Sequence, residues 1–178
     1  MDLEFLNRIV WQNSIKSYLL FIGIIVLGLI FKGLFSKLIS RFIYTFFKKF
    51  SKEIKVDKFL ELLIGPIEFL ILILFLYLAI NQIGYPLNIV VFERTLNKEP
   101  YTVSIIDVLD KVFLLLIIFS SFKILLRLID FISHVFEYRA SLTESKSDDQ
   151  MVPFLRELTK ILTIIIGVFV VMGAVFNL

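Results

Sequence analysis

Two glutamates, Glu61 and Glu68, are the residues of this chain whose type and spacing come closest to a chemical site. They are seven residues apart, with Pro66 between them, so they share one face of a helix. Glu68 falls inside an apolar run, where a carboxylate is a functional candidate because its charge is costly to bury. Two interpretations stay open. Glu68 either packs against a partner on a neighbouring helix, such as a lysine or arginine, or takes part in ion coordination or proton coupling.

Other signatures of catalysis or metal binding are missing from the sequence. The chain has no cysteine, which excludes disulfides, thiolate zinc sites and thiol nucleophiles, and it has a single histidine, His134. The stretch 23–28 begins and ends with glycine but lacks the strand–loop–helix context of a dinucleotide-binding loop. We therefore expect no enzyme, no cofactor, no metal site and no nucleic-acid partner.

The composition is that of a membrane protein. The chain is 58% hydrophobic with a mean hydropathy of +0.91, whereas soluble domains are about 45–50% apolar. The apolar residues are concentrated in blocks at 14–35, 59–83, 103–131 and 152–178. Each block approaches or exceeds the ~20 residues that a spanning helix needs. The predicted fold class is all-α, with about four transmembrane helices and a basic amphipathic helix on the cytoplasmic side.

Charge placement predicts the orientation. The inner loop 32–58 holds eight basic and two acidic residues, whereas the outer loop 84–102 holds two of each. The positive-inside rule places the first loop in the cytoplasm and the N-terminal segment 1–13 outside the cell membrane, with Trp11 and Tyr18 near the outer interface. Residues 14–140 then form three peripheral spans, 141–151 a polar cytoplasmic linker and 152–178 a fourth span running outward.

The inner loop has a strong helical pattern. Apolar residues recur there at three- and four-residue spacing: Leu34, Phe35, Leu38, Ile39, Phe42, Ile43, Phe46, Phe47 and Phe50. The opposite face carries polar and basic residues, among them Lys37, Ser40, Arg41, Lys48, Lys49 and Lys52. Such a helix binds anionic lipid through its cations, or packs its apolar side on protein. It lies on the inner membrane surface or extends the first spanning helix.

Five further polar residues have ordinary interpretations. Asp107 and Lys111 are four residues apart, which predicts a surface ion pair. Lys123 and Arg127 anchor the inner end of the third span. His134 is expected to be solvated in the inner linker.

The start of the fourth helix has its own signals. Asp148 or Asp149 is placed to cap the free N–H groups of the first turn. Pro153 fits that first turn, where its missing N–H has no consequence.

The same region resembles a known family. Asp148, Asp149 and Gln150, followed by 151–156 (MVPFLR), the isoleucine-rich 160–167 and the small-residue stretch 172–178, resemble the helix before the pore helix in the small-conductance mechanosensitive channel (MscS) family. Residues 127–130 and 139–140 are similar to the preceding helix of that family. The resemblance covers about the last fifty residues.

The resemblance implies a function and partners. Family members form homo-oligomers, typically heptamers, and release ions and small osmolytes on hypo-osmotic shock. We therefore expect this chain to be the N-terminal, lipid-contacting sensor part of such a channel, without the pore helix and cytoplasmic domain. The alternative is a small polytopic transporter subunit or a membrane scaffold protein.

Overall fold

The computed structural model describes residues 3–47, 56–96, 99–140 and 146–176, and helices dominate those ranges. In chain order the elements are a 3-10 turn at Leu3–Asn7, β1 (Ile9–Val10), β2 (Asn13–Ser14), α1 (Ile15–Phe47), α2 (Val56–Ile80), β3 (Val90–Leu96), β4 (Glu99–Ser104), α3 (Ile105–Ala140) and α4 (Lys146–Phe176). The predicted all-α polytopic class is confirmed. The strands add two small antiparallel hairpins, β1–β2 and β3–β4.

All four long helices meet the length and composition of membrane spans. The spans are Ile15–Phe46, Phe59–Ile80, Ile105–Tyr138 and Met151–Phe176, and the shortest has 22 residues. A helix of about 20 apolar residues crosses the ~30 Å hydrocarbon core, because each residue adds about 1.5 Å. The chain is therefore a multi-pass membrane protein.

The helices run up and down, and each packs mainly on its neighbours in sequence, α1 on α2, α2 on α3 and α3 on α4. We call the end where α1 and α3 finish and α2 and α4 begin the basic end. The opposite end, which carries both hairpins, is the hairpin end. The result is a row of helices rather than a closed bundle.

The core lies between α2 and α3 near the basic end. Its buried members are Phe59, Leu63, Ile67 and Ile71 from α2, and Phe131 and Val135 from α3. The four-residue spacing puts each set on one helix face. The rings of Phe59 and Phe131 meet edge to face with centroids 4.5 Å apart. Lipid is as apolar as these side chains, so this contact is stabilised by close packing rather than by removal from water.

Within the described residues, the amphipathic segment extends the first spanning helix as far as Phe47, where α1 ends. Its predicted polar face is only partly correct. Ser40, expected opposite the apolar face, is fully buried, as is Ser36 one turn earlier. The helical period brings these serines onto the same side as Ile43 and Tyr44, which pack against the α2–α3 core.

The third helix starts later and ends later than predicted. It begins at Ile105 after a reciprocal cap: the Asp107 Oδ2 accepts hydrogen bonds from the Ser104 N–H and hydroxyl at 2.7 and 2.6 Å. The predicted ion pair with Lys111 is wrong, because the Asp107 carboxylate serves the cap and the two residues form no ion pair. The helix continues to Ala140 because Val135 repeats the buried position of Phe131. His134 therefore lies within α3, not in a linker.

The outer loop predicted at 84–102 is largely a hairpin. β3 and β4 pair in antiparallel register, with Val90 opposite Ser104 and Leu96 opposite Glu99. The sequence pattern does not predict this hairpin, because glutamate, lysine and proline interrupt the alternation that indicates strands.

The fourth helix starts earlier than predicted. It begins at Lys146, so the second half of the predicted linker 141–151 is helical and Asp148 and Asp149 lie inside the helix rather than before it. Pro153 is then in the helix interior rather than the first turn. Its ring leaves the carbonyl four residues earlier without an N–H donor. The expected capping geometry is wrong by about one turn.

Candidate functional site

A group of charged side chains joins α3 to α4 near the basic end; we call it the Asp130 cluster. It consists of Arg127, Asp130, His134 and Glu137 from α3 and Arg156 and Lys160 from α4. Asp130 and Glu137 are seven residues apart and Arg156 and Lys160 four apart, so each set lies on one helix face. The two faces meet because the helices are antiparallel neighbours.

Asp130 is the centre of the cluster. Its Oδ1 accepts hydrogen bonds from Arg156, with Nε at 2.9 Å and Nη2 at 2.8 Å. The Lys160 ammonium lies 2.5 Å from the same oxygen. The Asp130 side chain is only 12% exposed, against 28% for Arg156 and 20% for Lys160. A carboxylate this sheltered requires its cations, because a buried charge without a partner is strongly destabilising.

The outer members of the cluster are more loosely held. Arg127 Nη1 lies 3.8 Å from Asp130 Oδ2, and Arg156 Nη1 lies 3.9 Å from Glu137 Oε1. His134 Nδ1 lies 3.1 Å from Glu137 Oε2. The cluster thus has one tight centre and a partly exposed rim. Opposite charges at facing ends of consecutive helices were the sequence signal for this cluster, whereas the sequence pattern predicted for Arg127 only a role as an anchor of the third span.

Glu68 contacts α1. The Ser36 hydroxyl donates to the Gly33 carbonyl at 3.1 Å and lies 3.5 Å from Glu68 Oε1. A methyl group at Gly33 would lie 3.4 Å from the same carboxylate oxygen. The packing interpretation requires such a contact, but the partner is a hydroxyl. No lysine or arginine in the described ranges forms an ion pair with Glu68.

Ion coordination at Glu68 stays a prediction. Glu61 is exposed on α2, so the two glutamates do not form a buried pair. One turn beyond Ser36, the Ser40 hydroxyl is buried without a hydrogen-bond partner. Across the described parts of the chain, no group of three histidine or carboxylate side chains is placed to hold a metal ion.

The predicted lipid-contact residues divide into two groups. Lys37 and Arg41 are exposed on α1, whereas Lys48, Lys49 and Lys52 lie outside the described residues. In α4 the backbone of Asp148, Asp149 and Gln150 is helical, and their side chains lie outside the description. Pro153 is exposed. Anionic-lipid binding by these residues stays a prediction.

Beyond the Asp130 cluster, the α3–α4 contact opens into an apolar groove. Its volume is about 610 Å³, and its walls include Phe119 and Phe122 from α3 and Val168 and Met172 from α4, with Lys123 as its charged member. Where the helices do approach, a methyl group at Gly167 would lie 3.1 Å from the Phe122 ring. The two helices are therefore joined by charge near the basic end and by apolar contacts beside the groove beyond it.

Comparisons with known proteins identify no relative: no protein-family model, no curated protein and no solved structure matches this chain. The resemblance to the mechanosensitive channel family accordingly stays a prediction, and what the structure establishes is a multi-pass helical membrane protein.

Proposed function

We propose that this chain is the membrane-tension-sensing transmembrane part of an MscS-like mechanosensitive channel, which in the full-length protein releases ions and small osmolytes on hypo-osmotic stress. In this proposal the protein lies in the cell membrane with its N-terminus outside. It assembles as a homo-oligomer, a heptamer by family resemblance, and its partners are membrane lipids. The conducting helix follows α4.

The open row of helices is the observation that carries the proposal. Consecutive helices pack on one another, and large apolar side chains remain exposed along α1, α3 and α4. Exposed residues such as Phe42, Phe119 and Phe169 face outward from the row. A row of this kind has a long lipid-contacting perimeter, and its in-plane area changes when neighbouring helices tilt or separate.

Membrane tension then shifts the equilibrium between two conformations of the helix row, as a ligand would. A force can shift a conformational equilibrium only by its differential free energy for the two states, here the product of tension and the difference in area. Moving a two-state equilibrium from 1:99 to 99:1 requires about 5.5 kcal/mol. The Asp130 cluster makes α3 and α4 move together at the basic end, so a shift of α3 is transmitted to α4.

The direct test is electrical. The full-length protein that contains this chain is reconstituted in giant proteoliposomes, and patches are held under stepped negative pressure. We expect current that appears above a threshold pressure and disappears on release. Protein-free patches of the same lipid are the control. Patches that contain the protein but show no pressure-dependent current up to the rupture pressure would contradict the proposal.

The transporter alternative predicts broken helices with polar groups near the midplane. α2 is continuous from Val56 to Ile80 through Pro66. Glu68 with its serine contact is the feature that would serve a transporter, and the unbroken helix around it favours the channel proposal.

A further inference from the structure

The β1–β2 hairpin presents an apolar tip outside the helix row. Ile9 is 75% exposed, Trp11 is 79% exposed and Val10 is also exposed. Trp11 is the single tryptophan of the chain. Large apolar side chains at the tip of a two-residue turn would be unfavourable in water, which suggests that another phase or molecule covers them.

The turn itself is held in an uncommon conformation. Trp11 and Gln12 have φ values of 49° and 61°, as the two central residues of a type I′ hairpin require. Asparagine and glycine are the usual residues there, and a bulky side chain at positive φ is an outlier. Such outliers persist where the surrounding structure enforces them and often mark a functional contact.

Asn13 provides that enforcement. Its side chain is buried and donates to the Tyr85 carbonyl at 2.7 Å, and it also lies 3.2 Å from the Tyr18 hydroxyl. Its Oδ1 accepts hydrogen bonds from the N–H groups of Gly84 and Tyr85 at 2.8 and 3.1 Å. The hairpin is therefore fixed to the turn after α2, and the direction of Trp11 is fixed with it.

The position along the membrane normal identifies what covers the tip. β2 ends at Ser14 and the span of α1 begins at the next residue. Lys16 is exposed, and no charged residue follows it until Lys32. The apolar part of α1 thus begins about one helical turn after the hairpin, which puts the hairpin at the boundary between hydrocarbon and headgroups. Tryptophan and tyrosine are enriched at this level, where an apolar ring and a polar N–H or O–H are both satisfied.

We propose that the β1–β2 hairpin is a membrane-interface anchor: Asn13 clamps the turn so that Trp11, Ile9 and Val10 insert among the lipid headgroups at the hairpin end. The occupant of this surface is the bilayer in which the helices lie. The anchor fixes the height and tilt of the start of α1 and, through Tyr85, of the end of α2. It is independent of the channel proposal, because any function of the helix row requires a fixed height in the membrane.

Because Trp11 is the only tryptophan, its fluorescence reports on the hairpin without a label. The chain is reconstituted in vesicles whose lipids carry bromine either near the ester end or near the methyl end of the acyl chain. We expect blue-shifted emission, quenched about twofold more by the shallow bromines than by the deep ones, with little quenching by aqueous acrylamide. A reference variant, Trp11→Phe with Phe169→Trp on the exposed face of α4, should reverse the depth preference.

Two outcomes overturn the proposal. Red-shifted emission quenched by acrylamide but not by bromine places the tip in water. Blue-shifted emission shielded from both quenchers places it against protein. For the clamp, Asn13→Ala should raise acrylamide quenching about twofold while the helical circular dichroism is kept. An unchanged depth profile in that variant, with helicity intact, overturns the role of Asn13.

Discussion

The α1–α2 and α3–α4 contacts both join antiparallel helices, but different kinds of side chains form the two contacts. α1 meets α2 through small residues: Gly28 lies under Phe75, and Ser36 lies beside Glu68. α3 meets α4 through full charges at the basic end and leaves an apolar groove beyond them.

The difference teaches how each pair resists separation. Close packing is sensitive to small separations, because a gap of about 0.5–1 Å already forfeits a quarter to a half of each van der Waals contact. A sheltered ion pair acts over a longer distance, because its Coulomb energy falls only as the inverse of the separation of the charges. We therefore expect the α1–α2 pair to resist small separations along its stripe, and α3 and α4 to stay attracted at the basic end when they shift.

The largest effect on stability should come from removing the carboxylate at the centre of the Asp130 cluster. Asp130→Ala leaves Arg156 and Lys160 facing each other without their shared anion, and we expect a loss of about 3 kcal/mol. Thermal unfolding in mild detergent, followed by circular dichroism, measures it. The matched control is Glu157→Ala, because Glu157 lies 3.8 Å from Arg156 but is 64% exposed. Equal losses in both variants would contradict a special role for Asp130.

The second effect tests the close stripe. Gly28→Ala would place a methyl group 2.6 Å from the Phe75 Cβ, so the helices must move apart. We expect a loss of about 1–2 kcal/mol after the gain in helix propensity is counted. Gly23→Ala on the same helix meets nothing within 4 Å and should be neutral or slightly stabilising. If the two variants unfold at the same temperature, α1 and α2 are not in close contact at Gly28.

A smaller effect is expected at Glu68. Glu68→Gln keeps an acceptor for Ser36 and removes a charge from the span, so stability should stay within about 1 kcal/mol of the parent. Channel conductance and gating pressure in patches of the full-length protein should be unchanged if Glu68 serves packing. Loss of cation or proton coupling would revive the ion-coordination interpretation.

The smallest effect is expected at the groove between α3 and α4. Gly167→Ala brings a methyl group to 3.1 Å from the Phe122 ring, which borders the groove and can rotate away. The gain in helix propensity then offsets the strain, and the net change should be below about 0.5 kcal/mol. A loss as large as that of Gly28→Ala would show that the two interfaces are equally tight.

The sequence predicted the spans well and their edges less well. The lengths and apolar content of 59–83 and 152–178 anticipate α2 and most of α4, because a spanning helix must satisfy its backbone internally. The predicted starts of α3 and α4 were wrong by a few residues. Helix capping depends on local geometry: Ser104, the last residue of β4, forms the cap of α3 together with Asp107. The sequence singled out Glu68 as a carboxylate inside a span, and only the structure placed it beside Ser36.

The sequence by itself determined that this chain spans a membrane several times and has no thiol chemistry, because hydropathy and composition are additive along the chain. Only the tertiary structure decided which helices touch, that Asp130 takes both Arg156 and Lys160, and that Asn13 fixes Trp11 against the turn at Tyr85. Those are pairings between residues far apart in sequence. They depend on helix rotation and register, which local pattern does not specify when every face of a helix is apolar.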